Sequence, residues 1–236
     1  MKLDYSHIND AALRCEELTL TYVTPRTTTY AVRGVSLAVG PRDFAGIVGP
    51  SGSGKSSLMY LLSGLKTATS GKVWVGDFLY SQADANAKLD FRRKYFGFVF
   101  QQPFLVAYLS ILENVLVPID NPDDSDKRRA LELLDALGIA DLAPKFPNEC
   151  SGGERVRASM ARGLVHRPDI LFVDEPTASL DVTTGTRVMD VLKTQRDHGA
   201  LIVVTHDLEI LHDSDVAFRM RDGSLVESTR QMIEHS

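Results

Sequence analysis

Residues Gly49–Ser56 read GPSGSGKS and fill every fixed position of the pattern G-x-x-x-x-G-K-[ST]. The run Phe44–Val48 (FAGIV) before them is short and apolar, as a buried strand is. After them, Leu58, Met59, Leu61, Leu62 and Leu65 recur at helical spacing, which predicts a helix over residues 56–65. A glycine-rich turn between a buried strand and a helix constrains the chain strongly. It demands an α/β sheet with the loop at the carboxyl end of a strand. The glycines allow successive N–H groups to converge on an anion, and the helix adds its positive end. Gly49, Pro50, Ser51, Gly52, Ser53, Gly54, Lys55, Ser56 and Ser57 are therefore the candidate phosphate cradle. Lys55 would reach the outer phosphates, and the Ser56 hydroxyl would ligate Mg²⁺.

The rest of the chain supplies the sheet. Leu18–Tyr22 and Val35–Val39 alternate polar and apolar, as half-buried strands do. Lys72–Val75 and Phe96–Phe100 read as further strands. Ile170–Val173 and Leu201–Val204 are continuous apolar runs, the pattern of central parallel strands. Val216–Met220 and Ser224–Val226 flank Arg221-Asp222-Gly223, a hairpin signal. Between them, from about Leu109, the character turns helical. Asp126–Leu137 is amphipathic, and Ser151 with Glu154 forms an S-x-x-E cap before a helix running to Val165. The expected fold is an α/β phosphate-loop core with a mixed parallel sheet, an N-terminal antiparallel β part and an inserted helical part. In domain terms, residues 1–100 and 166–236 form the core and about 101–165 the helical insertion of a single domain.

A second chemical feature lies at Ile170–Glu175 (ILFVDE), where a buried strand delivers two carboxylates at its carboxyl end. Asp174 suits the metal side of a phosphate-loop enzyme. Glu175 suits the orientation and polarisation of an attacking water.

Ser151-Gly152-Gly153-Glu154 lies about 20 residues before that pair. A serine, two glycines and a helix start make a second anion site. At this point the sequence resembles the ABC ATPase family, whose signature is written LSGGQ; Cys150 stands for the leucine and Glu154 for the glutamine. The resemblance runs from about Cys15 to Glu227. It implies ATP and Mg²⁺ as ligands and a homodimer in which Ser151, Gly152, Gly153 and Glu154 of one chain meet the γ-phosphate held by the other. It further implies Gln101, beside Gln102, as the residue that touches Mg²⁺ or the attacking water and links hydrolysis to a membrane subunit. His206 is implied as the γ-phosphate switch. Ser179-Leu180-Asp181 is implied at the dimer interface, and Tyr22, with Tyr30 as rival, as the platform that stacks on adenine.

Lys55 and Ser151 are 96 positions apart, room for one helical insertion and no long coiled coil. The segments YAVRGVSL, FGFVFQ, SGGERVRASMARGL and DEPTASLD look most like subunits that power lipoprotein release and macrolide efflux. A cell-division ATPase or a small-solute importer subunit shares most of them. A soluble ABC ATPase acting on nucleic acid or ribosomes is the reading of another class. The net charge of −5 offers no basic field for nucleic acid. Met1–Arg14 has no apolar signal core, and no segment offers the ~18 apolar residues of a membrane span. Cys15 and Cys150 read as free thiols of a cytosolic protein. The expected place is the cytoplasmic face of the membrane, on an integral permease partner.

Overall fold

The computed structural model describes residues 11–24 and 27–230. Residues 1–10, which make up most of Met1–Arg14, and residues 231–236 lie outside the described residues. Strands β1 (Leu13–Val23), β2 (Thr28–Val39) and β4 (Ser70–Val75) form an antiparallel sheet in the order β2-β1-β4. The second sheet has the order β5-β6-β7-β3-β8-β9. Its strands are β3 (Phe44–Val48), β5 (Phe96–Val99), β6 (Ile170–Asp174), β7 (Ala200–Thr205), β8 (Val216–Arg221) and β9 (Ser224–Arg230). The first five in that order are parallel and β9 is antiparallel to β8.

The continuous apolar runs are explained by burial of both sheet faces. Along β6, Ile170 and Phe172 enter one core while Leu171 and Val173 enter the other. Strand β7 divides likewise, with Ile202 and Val204 on one side and Leu201 and Val203 on the other. The first core holds helix α1 (Lys55–Leu62) between the two sheets, through Leu58, Met59, Leu61 and Leu62. The second holds α3 (Ile111–Leu116), α4 (Asp124–Ala136), α5 (Gly152–Leu164) and α6 (Val182–Lys193). Helix α2 (Ala85–Tyr95) lies beside β5 and buries none of its residues.

Several boundaries differ from the sequence expectation, among them the start of β2 at Thr28 and the end of β9 at Arg230. Helix α1 stops at Leu62 rather than reaching Leu65, which is exposed. The backbone turns at Gly64, where φ is +64°, a conformation a side chain would oppose. Strand β1 begins at Leu13, five residues early, because it pairs on both sides with β2 and β4. The β8–β9 hairpin turns at Asp222 and Gly223, both with positive φ, as a two-residue primed turn requires. Among the described residues no helix is long and apolar enough to cross a membrane.

Candidate active site

Strands β6, β7 and β3 lie side by side, and their carboxyl ends carry the candidate chemistry. Register pairs Val48 with Thr205 and Asp174 with Val204, so Gly49, Glu175 and His206 emerge from one edge. The phosphate loop is folded tightly against β2. Gly54 has φ +98°, and a Cβ there would stand 2.2 Å from the Ala31 carbonyl oxygen. Lys55 is buried, and its ammonium donates to the carbonyls of Gly49 at 2.8 Å and Pro50 at 3.2 Å. It therefore spans the loop that begins six residues earlier. The Ser53 hydroxyl, also buried, finds no protein partner among the described residues. A donor left open inside such a loop suits a phosphate oxygen.

The Ser56 hydroxyl donates to Asp174 Oδ1 at 3.1 Å, although 118 positions separate the two residues. Burial, first, pushes the Asp174 carboxyl above its usual range, and the neighbouring Glu175 charge adds to this. The Ser56 hydrogen bond and the Lys55 charge act the other way. A hydroxyl and a buried carboxylate are hard oxygen donors of the kind Mg²⁺ takes, and a cation would offset the cost of ionising Asp174.

Glu175 sits at φ +50°, held by its N–H to the Val204 carbonyl at 2.8 Å. A non-glycine residue in this region costs energy and marks a place where geometry matters. Its carboxylate accepts from Thr205 Oγ1 at 3.3 Å and contacts His206 Nδ1 at 2.9 Å. Thr205 was not anticipated; only its place in LIVVTH hints at it. A cavity of about 690 Å³ opens beside this edge, with Gly49, Pro50 and His206 among its lining.

The other sequence candidates lie apart. Gln101 and Gln102 are exposed just beyond β5, whose Val99 pairs with Val173 of β6. Tyr22 pairs with Thr29 and Tyr30 with Thr21, so the two rings project from opposite faces of the small sheet. The Lys66 ammonium lies 4.7 Å from the Tyr22 ring centroid and bonds its hydroxyl. Nothing in the sequence signals that contact. Asp181 caps α6, accepting from the Thr184 N–H at 3.0 Å, and this bond holds its carboxyl below the usual range.

Ser151 and Glu154 close a capping box on α5. The Ser151 N–H donates to Glu154 Oε2 at 2.7 Å, and the Glu154 N–H to Ser151 Oγ at 3.4 Å. The backbone hydrogen bond from Ser151 leads in holding the Glu154 carboxyl low. A Cβ on Gly152 would meet nothing within 4 Å, so this helix start presents bare backbone outward. Among the described residues no hydrogen bond or ion pair joins residues 151–154 to residues 49–57. One chain thus carries two glycine-bearing helix starts that do not bond to each other.

Known proteins resemble this chain in sequence and in fold. The model of the ABC transporter family matches residues 32–178. The lipoprotein-releasing system ATP-binding protein LolD 1 of Rhodopirellula baltica is 37% identical over 219 residues, covering 91% of this chain and 96% of that one. The macrolide export ATP-binding/permease protein MacB 2 of Yersinia pestis bv. Antiqua is 33% identical over 91% of this chain, which spans 32% of that longer protein. A solved dimeric post-hydrolysis state of the ATP-binding cassette MJ0796 bound to ADP and Pi superposes with a TM-score of 0.87. It is 32% identical, with 92% of this chain and 98% of that chain covered.

Proposed function

Because this chain belongs to the ABC transporter family, we propose that it is the ATP-hydrolysing subunit of a transporter whose membrane-spanning part is a separate protein. Two copies enclose ATP at their interface. The observation that carries this reading is that one chain holds two glycine-bearing helix starts with no bond between them: the Gly49–Ser56 loop beside Asp174, Glu175 and His206, and the bare start of α5. A second copy brings the missing half to each.

In this reading the loop N–H groups and Lys55 hold the phosphates. Ser151, Gly152 and Gly153 of the opposite copy approach the γ-phosphate, with Glu154 fixing their cap. Tyr22 stacks on the base. Ser56 and Asp174, with Gln101, hold Mg²⁺, which neutralises phosphate charge when bound. Glu175 orients the attacking water and accepts its proton, and His206 contacts the γ-phosphate through the nitrogen turned away from Glu175. Asp181 acts through the helix cap it makes beside the interface. The binding force for closure is the greater affinity of ATP for the closed pair. Residues 101–165 serve as a helical insertion in a nucleotide-binding core formed by 1–100 and 166–236.

Similarity to the lipoprotein-releasing protein supports an export or mechanical-release role on the cytoplasmic face of the membrane. The test is capture of tagged Glu175→Gln protein from detergent-solubilised membranes with ATP and Mg²⁺, with the mass of the soluble species measured in parallel. The expected result is a dimer that forms only with ATP and a stoichiometric four-span partner bearing a large outer domain. A multi-span partner without that domain favours an importer. Recovery of only soluble or nucleic-acid-bound partners overturns the transporter role.

A further inference from the structure

Helix α5 begins at the Ser151 cap and carries Arg162 in its last turn. The Arg162 guanidinium forks onto two successive carbonyls, donating to Pro103 at 2.6 Å and to Phe104 at 2.9 Å. These carbonyls lie two and three residues after Gln101. Phe104 is held at φ +43°, a left-handed backbone that an aromatic residue resists. The fork therefore secures a strained bend, not an extended strand that would hold itself. The far side of the same segment is fixed independently. Asn114 of α3 is fully buried, accepts from the Val106 N–H at 2.7 Å, and donates to the Val106 and Leu109 carbonyls at 3.0 Å. A cavity of about 390 Å³ adjoins this junction, lined by Arg92, Phe96, Phe98, Phe100, Arg162 and His166.

We propose that Arg162 is a positioning residue that ties the placement of Gln101 to the position of the Ser151 end of α5. The inference rests on the reading of Gln101 and Ser151 given above. A helix of 13 residues is a stiff rod of about 20 Å. Movement at its capped end therefore carries Arg162 with it. A planar fork on two carbonyls fixes both the place and the tilt of the peptide it grips, which a single ammonium does not. Since Asn114 anchors the segment beyond Val106, displacement of Pro103 and Phe104 is taken up on the side that carries Gln101. Engagement of one copy's α5 by the other copy's nucleotide thus sets the glutamine in the first copy's own site.

A double-mutant cycle on steady-state phosphate release tests this, using the full-length chain at saturating ATP and Mg²⁺. The variants are Arg162→Lys, Gln101→Ala and the pair, each with its ATP affinity and melting temperature. We expect Arg162→Lys to slow turnover about tenfold or more, as displacement of a positioned group does. ATP affinity should stay within about twofold, because the phosphate loop is untouched. The pair should be no slower than Gln101→Ala alone, since residues acting through one another are not additive. Additive slowing, or normal turnover in Arg162→Lys, overturns the proposal. Slow turnover in Gln101→Ala with additive effects condemns Arg162 alone. Normal turnover in Gln101→Ala removes the role of that glutamine as well. If Arg162→Lys melts far below the parent, Arg162→Gln replaces it in the same cycle. Amide exchange across residues 101–110 in the Glu175→Gln background gives a second reading. Adding ATP should change exchange there, and the change should vanish with Arg162→Lys; a change that persists overturns the proposal.

Discussion

His206 Nδ1 stands 2.9 Å from Oε2 and 3.0 Å from Oε1 of Glu175, so the imidazole edge straddles the carboxylate. An ionised carboxylate only accepts hydrogen bonds, which places the proton on Nδ1 and leaves Nε2 facing away. The Thr205 hydroxyl approaches the same carboxylate from the neighbouring residue. Glu175 is thus oriented from two sides while its backbone is held at positive φ.

Glu175→Gln should bind ATP with nearly parental affinity and release phosphate roughly 10²–10⁴-fold more slowly, the usual contribution of a positioned acid or base. The amide oxygen still accepts from His206, so the local arrangement survives. Single-turnover phosphate release together with an ATP titration checks this. Release at the parental rate would remove Glu175 from the chemistry.

Lys55→Ala should lose nucleotide affinity without unfolding. Among the described residues the ammonium's hydrogen bonds go to two carbonyls, and both lie within the same short loop. Titration with a fluorescent ATP analogue reads the loss, and a melting curve reads the fold. Affinity equal to the parent would sink the phosphate-loop assignment.

The parallel sheet was legible because its strands are apolar on both faces, and Ile170–Val173 and Leu201–Val204 show that without ambiguity. The phosphate loop and the Ser151–Glu154 cap were legible because local chemistry fixes them. Helix α2 was not, since none of its residues is fully buried and Phe91 and Tyr95 pack only partly against the core. Helix α3 is only six residues long, and its start shows in the Ser110–Glu113 capping box more than in its periodicity. Helix α6 was not read from the sequence, and Asp181, expected at the dimer interface, is also its cap. Contacts across sequence, such as Lys66 with Tyr22 and Arg162 with Pro103, arise only once the chain is folded. No local pattern encodes them.

Cys150 borders the α5 start, where an exposed thiol would let a bulky reagent block dimer closure. The structure removes that condition. Cys150 is buried with its thiol directed at the Phe146 carbonyl, and burial leads in raising its pKa. Cys15 is buried too, and desolvation pushes its thiol to about 12. Neither presents a thiolate near neutral pH. An aromatic disulfide reagent at pH 7.5 should therefore label native protein far more slowly than protein in denaturant, and ATPase activity should survive the exposure. Rapid native labelling at Cys150 with loss of activity would contradict the packing around it.

Asp174, the proposed Mg²⁺ ligand, also bears on stability, and the sign follows from its environment. Burial raises its folded pKa above the unfolded value of about 3.9. As pH rises past the unfolded value, the unfolded chain releases this proton first. The folded state then bears a growing cost, complete once pH exceeds the folded pKa. Asp174→Asn removes the charge and keeps an oxygen that accepts from Ser56. Without Mg²⁺ at pH 7, it should melt above the parent. The gap should close as pH falls below the unfolded value. With Mg²⁺ and ATP the order should reverse, because only the parent carries the carboxylate that a cation offsets, and the variant should not hydrolyse ATP. Thermal melts across pH, with and without Mg²⁺-ATP, check both halves. A variant that melts below the parent at neutral pH without metal would show that Asp174 stabilises the fold by its charge, against the environment described here.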